Sequence, residues 1–510
     1  MRQHILFIVA AILFTANLSP AQQRCEDLSR LALPDIVIQS AMAVPSGSFR
    51  LPAAQATAPP VKVPAFCRVA GLVKPELQFE LWLPVQWNRK YIAVGNGGMA
   101  GSVPYAAMVD PLNRGYATGA TDTGHSGTND DGTWALGHLE RLLNYAYRGI
   151  HLMALADQAI IRSYYGAAPA NSYFNGCSFG GKQALTEAQR YPNDFNGIIA
   201  GDPANSFTRH YIGGHLWGAM AMEGDGYIPA AKLPLLGNAV NAACDALDGI
   251  KDGVLNDPRR CHFDPAVLQC KGGDGPDCLT AAQVGAIRKI WGGLKDSSGK
   301  QIYPGLMPGG EASPGSWARY FSGAGPGAGR HAALTNAFFS NMVFEDPKWD
   351  FHTFRFTAPP GLENDIEATE DKVGWMFNAT NPDLHPFRAH GGKLIQYHGW
   401  SDPDIPPDNS INYHDSMAAT VGDPGEFYRL FMVPGMQHCT GGPGTFSFDS
   451  LSALEQWVEQ GKPPAQIPAA HLTAGKVDRT RPLCPYPQVA KYRGTGSTDD
   501  TANFVCALTQ

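Results

Sequence analysis

Gly176-Cys177-Ser178-Phe179-Gly180 constrains this chain more than any other stretch. It fits G-x-S-x-G, a pattern in which a serine occupies a sharp turn between a strand and a helix. The flanks agree. Ser172-Tyr173-Phe174-Asn175 can form a short strand, and Lys182 to Ala188 is made mostly of good helix formers. Such a turn holds the serine in strained backbone geometry, so its neighbours must be small enough for it to close. Five-residue patterns recur by chance, and here the surroundings add weight. Cys177 stands next to the serine, and Cys439 stands next to His438 far downstream. One disulfide between these cysteines would bring Ser178 and His438 together.

A strand-then-helix rhythm surrounds the motif. Gln78 to Leu83 alternates like a strand, and Tyr91-Ile92-Ala93-Val94 reads as a buried strand running into Gly95-Asn96-Gly97-Gly98. Tyr116 to Ala120 is another strand, Leu142 to Tyr164 has helical spacing, and Gly197 to Asp202 follows the serine turn. The rhythm resumes near Lys393 with Leu394 to Gly399, then Tyr428 to Val433, then a helix over Leu451 to Glu459. Strands alternating with helices predict a parallel sheet wrapped by helices. The intervening stretch is Gly/Pro-rich in places (Pro304 to Gly329) and carries four cysteines. The expected organisation is an α/β-hydrolase core over 22–204 and 390–510, with 205–389 inserted as a lid; an independent downstream domain is the alternative. The lid is favoured because sheet pattern returns after it and His438 lies beyond it.

The N-terminus reads as an export signal over 1–21: Arg2 is the positive start, Ile5 to Phe14 the apolar run, and Ser19-Pro20-Ala21 a small-residue cleavage site. The run is too short for a membrane span. The mature chain is expected to begin near Gln22 and to be soluble, in the periplasm or the medium. An oxidising compartment then accounts for ten cysteines. Spacing suggests short loops closed by Cys244 with Cys261, Cys270 with Cys278 and Cys484 with Cys506. Cys25 and Cys67 would tie down the N-terminal arm, leaving Cys177 and Cys439, although sequence alone does not set connectivity. No paired C-x-x-C spacing points to zinc. A net charge of −7 with no long basic run argues against nucleic acid.

A serine hydroxyl needs a base within hydrogen-bond reach, and the base needs an orienting carboxylate. In α/β-hydrolases these follow in the order serine, acid, histidine, each on a loop after a strand. Ser178, Asp402 and His438 supply that order; Asp404 is the rival acid, and Asp402 could also be a plain turn-former before Pro403. Two backbone N–H donors must hold the developing oxyanion. Phe179 is the expected first. Gly97 or Gly98, in the loop after an early strand, is the second, and the residues leave that choice open.

Cys244 to Val254 is a second dense signal. Asp245, Asp248 and Asp252 lie within eight residues and repel one another unless a cation neutralises them. Calcium suits such a loop, with carbonyl oxygens of Ile250 and Val254 completing an oxygen set. The spacing is not that of an EF-hand, and an acidic surface loop is the alternative.

Taken together, Gly176-Cys177-Ser178-x-Gly180-Gly181, His398-Gly399-x-x-Asp402, His438-Cys439 and the Asp245/Asp248/Asp252 loop resemble the tannase/feruloyl esterase family, which includes bacterial mono(2-hydroxyethyl) terephthalate hydrolases. The likeness spans essentially the whole mature chain. It implies an α/β-hydrolase core with a lid, a Cys177–Cys439 disulfide beside a Ser178/Asp402/His438 triad, and structural Ca2+ held by Asp245, Asp248, Ile250, Asp252 and Val254. It also implies an exported serine esterase acting on small esters of aromatic acids such as gallate, hydroxycinnamates or a terephthalate monoester. Asn336 to Phe344 and Trp349 are aromatic enough to meet a ring, with lid core as the simpler role for most of them. No arginine is assigned to a terephthalate carboxylate. A peptidase, or a binding protein on a hydrolase fold, are the other readings.

Overall fold

In the computed structural model, residues 23–52, 58–359 and 362–508 are described; the predicted export signal lies outside them. Apolar runs form a nine-stranded sheet. Its strands are β1 (Ile36–Val44), β2 (Phe66–Val73), β3 (Leu77–Pro84), β4 (Lys90–Val94), β5 (Ala117–Thr121), β6 (Asn171–Cys177), β7 (Gly197–Gly201), β8 (Lys393–Gly399) and β9 (Tyr428–Val433). The order across the sheet is β1-β2-β3-β5-β4-β6-β7-β8-β9. The first strands pair antiparallel, and every pairing from β5 to β9 is parallel. This is the α/β-hydrolase architecture expected from the sequence. The N-terminal strands β1 and β2 were not anticipated.

The longer helices among the described residues are α1 (Tyr105–Asn113), α2 (Gly149–Tyr165), α3 (Phe179–Arg190), α4 (Leu233–Cys244), α5 (Ala281–Gly292), α6 (Arg330–Phe338), α7 (Asp408–Val421) and α8 (Ser450–Gln460). Helices α2, α3 and α7 cover one face, packing Ile150, Met153, Ile160, Leu185 and Met417 against Phe174, Ile198 and Leu394. On the other face α8 packs Leu454 and Trp457 against Tyr173, Ile199, Ile395 and Phe431. Strands buried on both faces must be apolar on both, which is why they read as continuous hydrophobic runs. Each such large side chain contributes about 1.5–3 kcal/mol.

The helical stretch expected from Leu142 to Tyr164 contains a π turn at Asn144–Arg148, between Leu139–Leu143 and α2. The wider turn re-aims its side chains, a common device at functional sites.

Chain reversal fixes where chemistry can occur. β5 lies on one side of β4 and β6 on the other, so the loops leaving β4 and β6 part above the sheet and open a crevice at their carboxyl ends. Residues 205–389 connect β7 to β8. Part of this segment, including Phe207, Tyr211, Phe338 and Phe377, shares a core with Met99, Tyr145, Phe179 and Ile405 at that crevice. Another part packs on itself through Ile228, Leu236, Val240, Ile287 and Trp317. Five disulfides join Cys25–Cys67, Cys177–Cys439, Cys244–Cys261, Cys270–Cys278 and Cys484–Cys506. After α8 the chain adds β-strands at Ile467–Thr473, Lys476–Leu483, Gln488–Tyr492 and Phe504–Leu508. Among the described residues no helix is long and apolar enough to cross a membrane.

Candidate active site

Ser178 sits between β6 and α3 with φ 66° and ψ −122°, a region costly for a residue with a side chain, by about 1–3 kcal/mol. The neighbours explain why the turn closes. A Cβ on Gly176 would lie 2.4 Å from the Gly180 carbonyl oxygen, and one on Gly181 would lie 2.2 Å from that of Gly201. Any larger residue at either position would push α3 off the sheet.

Ser178 Oγ lies 2.8 Å from His438 Nε2, and His438 Nδ1 lies 2.8 Å from Asp402 Oδ2. His438 follows β9 and Asp402 follows β8, as expected. The other Asp402 oxygen accepts the N–H groups of Asp404 at 2.7 Å and Ile405 at 3.0 Å. Burial alone would raise the Asp402 carboxyl. The charge of His438 and the hydrogen bonds from His398 and His438 outweigh burial and hold it at about 2. The same balance acts on the imidazole: burial opposes its charge, but Asp402, then Asp404 and Asp202, raise His438 to about 9. The Cys177–Cys439 bridge fastens the loop carrying His438 to the strand carrying Ser178.

The sequence assigned no role to Asp202, and His398 entered only as part of a motif. Asp202, at the end of β7, accepts the N–H of Gly399 at 2.7 Å and of Cys439 at 2.9 Å, tying together the loops after β8 and β9. Burial lifts its carboxyl to about 6 despite the nearby His398 charge. His398 bonds Ser410 Oγ and the Ile405 carbonyl, and its Nε2 is 3.4 Å from Asp402.

Asp404, the rival acid, is not on Nδ1. Its Oδ2 lies 3.5 Å from His438 Nε2, while Oδ1 is 2.7 Å from His215 Nε2 and 3.3 Å from His331 Nε2. Donor atoms of His210, His215 and Asp404 lie within 4.8 Å of one another, a spacing that invites a metal reading. The chemistry argues otherwise. The Nδ1 atoms of His215 and His331 are buried without partners. A metal on Nε2 would place the proton on Nδ1 and leave it with no acceptor, whereas metal-bound histidines almost always donate that proton. Imidazoles donating Nε2–H to Asp404 fit better, and burial holds His331 down at about 4.

The loop after β4 fits its expected place. Gly95 N–H donates to Asn175 O, Asn96 N–H to Gln183 Oε1, Met99 N–H to Asn129 O and Ala100 N–H to Gly97 O. Gly97 and Gly98 are left, among the described residues, as the N–H groups of this run without a protein acceptor. A Cβ on Gly98 would lie 2.2 Å from Asn129 O, and its φ is +51°. Phe179 N–H opens α3, where the first N–H groups have no intrahelical acceptor.

A profile described as tannase and feruloyl esterase matches residues 61–507. The chain belongs to this family. It is therefore a carboxylic ester hydrolase. It is 40% identical to an uncharacterized esterase of Xanthomonas campestris pv. campestris, over 98% of this chain and 93% of the relative. It is 33% identical to the mono(2-hydroxyethyl) terephthalate hydrolase of Piscinibacter sakaiensis, over 89% and 87%. The crystal structure of feruloyl esterase B from Aspergillus oryzae superposes with a TM-score of 0.84 at 27% identity, covering 95% of this chain and 99% of that one.

In this family member, Phe338 and Phe339 are fully buried. Phe339 packs with Phe344 and Trp349, while Phe338 joins Phe207 and Tyr211 behind Phe179. Arg330 approaches the site, yet its guanidinium is engaged by Asp130 at 2.8 Å and Asp404 at 3.5 Å.

The acidic loop has its own geometry. Asp245 accepts the N–H groups of Asp252 and Gly253, Asp248 that of Ile250, and Asp252 that of Val254. Asp252 Oδ2 also meets Arg481 at 2.7 Å and Arg479 at 3.7 Å. Burial, with the Asp252 and Asp245 charges adding to it, lifts Asp248 to about 6. The three carboxylates are spread wider than the buried clusters whose donor atoms lie within 4.8 Å. Asp248, Ile250, Asp252 and Val254 line one cavity, and Asp245 lines the adjoining one with Asp248. The Ile250 and Val254 carbonyls accept no protein hydrogen bond among the described residues. Asp245 and Asp248, which have no cationic side chain paired to them among the described residues, beside two free carbonyls fit a hard cation that binds oxygen.

Proposed function

We propose that this esterase cleaves esters of aromatic, phenolic acids through an acyl-enzyme on Ser178. The observation that carries the reading is the continuous Ser178–His438–Asp402 hydrogen-bond chain, with both links at 2.8 Å. As Ser178 Oγ attacks the ester carbonyl, its proton passes to His438 Nε2. Asp402 keeps Nδ1–H oriented and stabilises the imidazolium. The N–H groups of Phe179 and of Gly97 or Gly98 receive the oxyanion. His438 then protonates the departing alkoxide, and the alcohol leaves. Water, deprotonated by His438, attacks the acyl carbonyl; the tetrahedral intermediate collapses, releasing the acid and returning the proton to Ser178.

Family membership supports an aromatic acyl group; Phe207, Tyr211 and Phe338 are core packed behind Phe179. A terephthalate monoester draws no support from Arg330, whose charge is already paired. Calcium at Asp245, Asp248, Ile250, Asp252 and Val254 would act structurally, since this loop contributes nothing to the Ser178 chain. Export through residues 1–21 is supported by the five disulfides, which persist in oxidising compartments.

Initial rates on methyl ferulate, methyl gallate, mono(2-hydroxyethyl) terephthalate and p-nitrophenyl acetate test this. Preference for a phenolic ester is expected. Preference for the terephthalate ester, or turnover of the nitrophenyl ester alone, overturns the substrate reading. Retention of activity in Ser178→Ala overturns the mechanism.

A further inference from the structure

The two halves of the oxyanion hole come from different places, the loop after β4 and the start of α3. Two buried side chains that touch no reacting atom hold these halves together. Gln183 lies one helical turn into α3. Its Oε1 accepts the Asn96 N–H at 2.9 Å, and its Nε2 donates to Asn96 Oδ1 at 3.1 Å. Asn96 Nδ2 then donates to the carbonyls of Thr121 at 2.8 Å and Ser102 at 3.2 Å. The reciprocal amide pair therefore links helix, loop and sheet. Contact is close enough that a Cβ on Gly95 would lie 2.8 Å from Gly180 Cα and 3.1 Å from Gln183 Oε1.

Tyr145 bridges the same two halves from above. Its ring stacks on Phe179, with centroids 4.1 Å apart and planes 9° apart. Its hydroxyl donates to the Gly98 carbonyl at 2.9 Å. The phenol is buried, and burial keeps it protonated and so a donor. Met99 N–H bonds Asn129 O, so the Gly98–Met99 peptide is held at both ends. The π turn at Asn144–Arg148 carries Tyr145.

We propose that Gln183 and Tyr145 are positioning residues of the oxyanion hole, fixing the Gly97/Gly98 amides relative to the Phe179 amide. The inference rests on the Ser178 acyl-enzyme reading. Displacing a preorganised donor by about 1 Å can cost on the order of 10²-fold in rate. Gln183→Leu is expected to lower kcat roughly 10- to 100-fold, and Tyr145→Phe, which keeps the stack, by up to about 10-fold.

The test compares kcat, KM, product-acid inhibition and the inhibition constant of an arylboronic acid, which forms a tetrahedral adduct on serine and places an oxygen in the hole. The expected result is boronate affinity falling in step with kcat/KM, while KM and product inhibition stay near wild type. Unchanged boronate affinity, or a loss carried by KM alone, overturns the proposal. Should Gln183→Leu fail to fold, Tyr145→Phe decides by itself. Wild type that takes no boronate, or Ser178→Ala that takes it equally, would refute the Ser178 reading instead, so the two failures are distinguishable.

Discussion

The Ser178 site and the Asp245–Val254 loop are built in opposite ways. The first gathers residues separated by 260 positions, and its Ser178–His438–Asp402 and Asp202 hydrogen bonds join different elements. The second is local: its carboxylates accept N–H groups of their own loop, and the Cys244–Cys261 disulfide closes the segment. Only Asp252 reaches far, to Arg479 and Arg481 of the C-terminal strands. A long-range site is organised by the sheet whether or not a ligand is present. A local acidic loop keeps net charge and free carbonyls, and so depends on what neutralises it.

The largest expected effect falls on the long-range site alone. Ser178→Ala and His438→Ala should each lower kcat by roughly 10⁴-fold or more, with melting temperature nearly unchanged in Ser178→Ala; a comparable loss of rate from Asp248→Ala would erase the contrast.

Breaking Cys177–Cys439 by paired serine substitution should strike both stability and rate. The bridge closes a loop of 262 residues, and removing a native disulfide costs about 2–5 kcal/mol. Denaturant midpoints would check this, and an unchanged midpoint would show that Asp202 alone suffices to hold the two loops.

Chelation is the converse experiment. Removing calcium should lower the melting temperature by several degrees while kcat changes less, and Asp248→Asn should reduce the response to added calcium. If metal analysis of purified protein finds none and chelation changes nothing, the acidic loop is a plain surface feature.

The smallest effects concern pH. If His438 is the base proposed for Ser178, it must be neutral to act, and its value is raised to about 9, so kcat/KM should climb with pH well beyond 6.5. Asp404→Asn removes one of the charges responsible and should move that limb to lower pH. For stability the signs differ. The His438 contribution is full below its ordinary 6.5 and is lost as pH rises through about 9. The Asp402 contribution is present above 3.8 and is lost as pH falls toward 2. Melting curves across pH would read both.

Much of this was legible in the chain. G-x-S-x-G forced a strand, a turn and a helix, because only glycines tolerate backbone at 2.4–2.9 Å from their would-be Cβ. Parallel strands announced themselves as apolar runs, and His438 and Asp402 followed them at the loops where a parallel sheet places function. Other features were hidden for physical reasons. β1 and β2 belong to the antiparallel edge, where burial is mixed and the pattern weaker. The sequence favoured Asp402 by its place after β8, but what occupies its rival was hidden: His215 and His331, folded in from the insertion, claim Asp404.

The sequence by itself determined the local geometry of the Ser178 turn, the parallel strands and the closeness of three carboxylates between Cys244 and Val254, since these depend on neighbours along the chain. Tertiary structure alone decided how Asp404 is engaged, that Arg330 is paired, and that Gln183 and Tyr145 clamp the glycine loop. Those outcomes depend on side chains distant in sequence competing for the same few ångströms, and hydrogen bonding selects among them only once packing has brought them together.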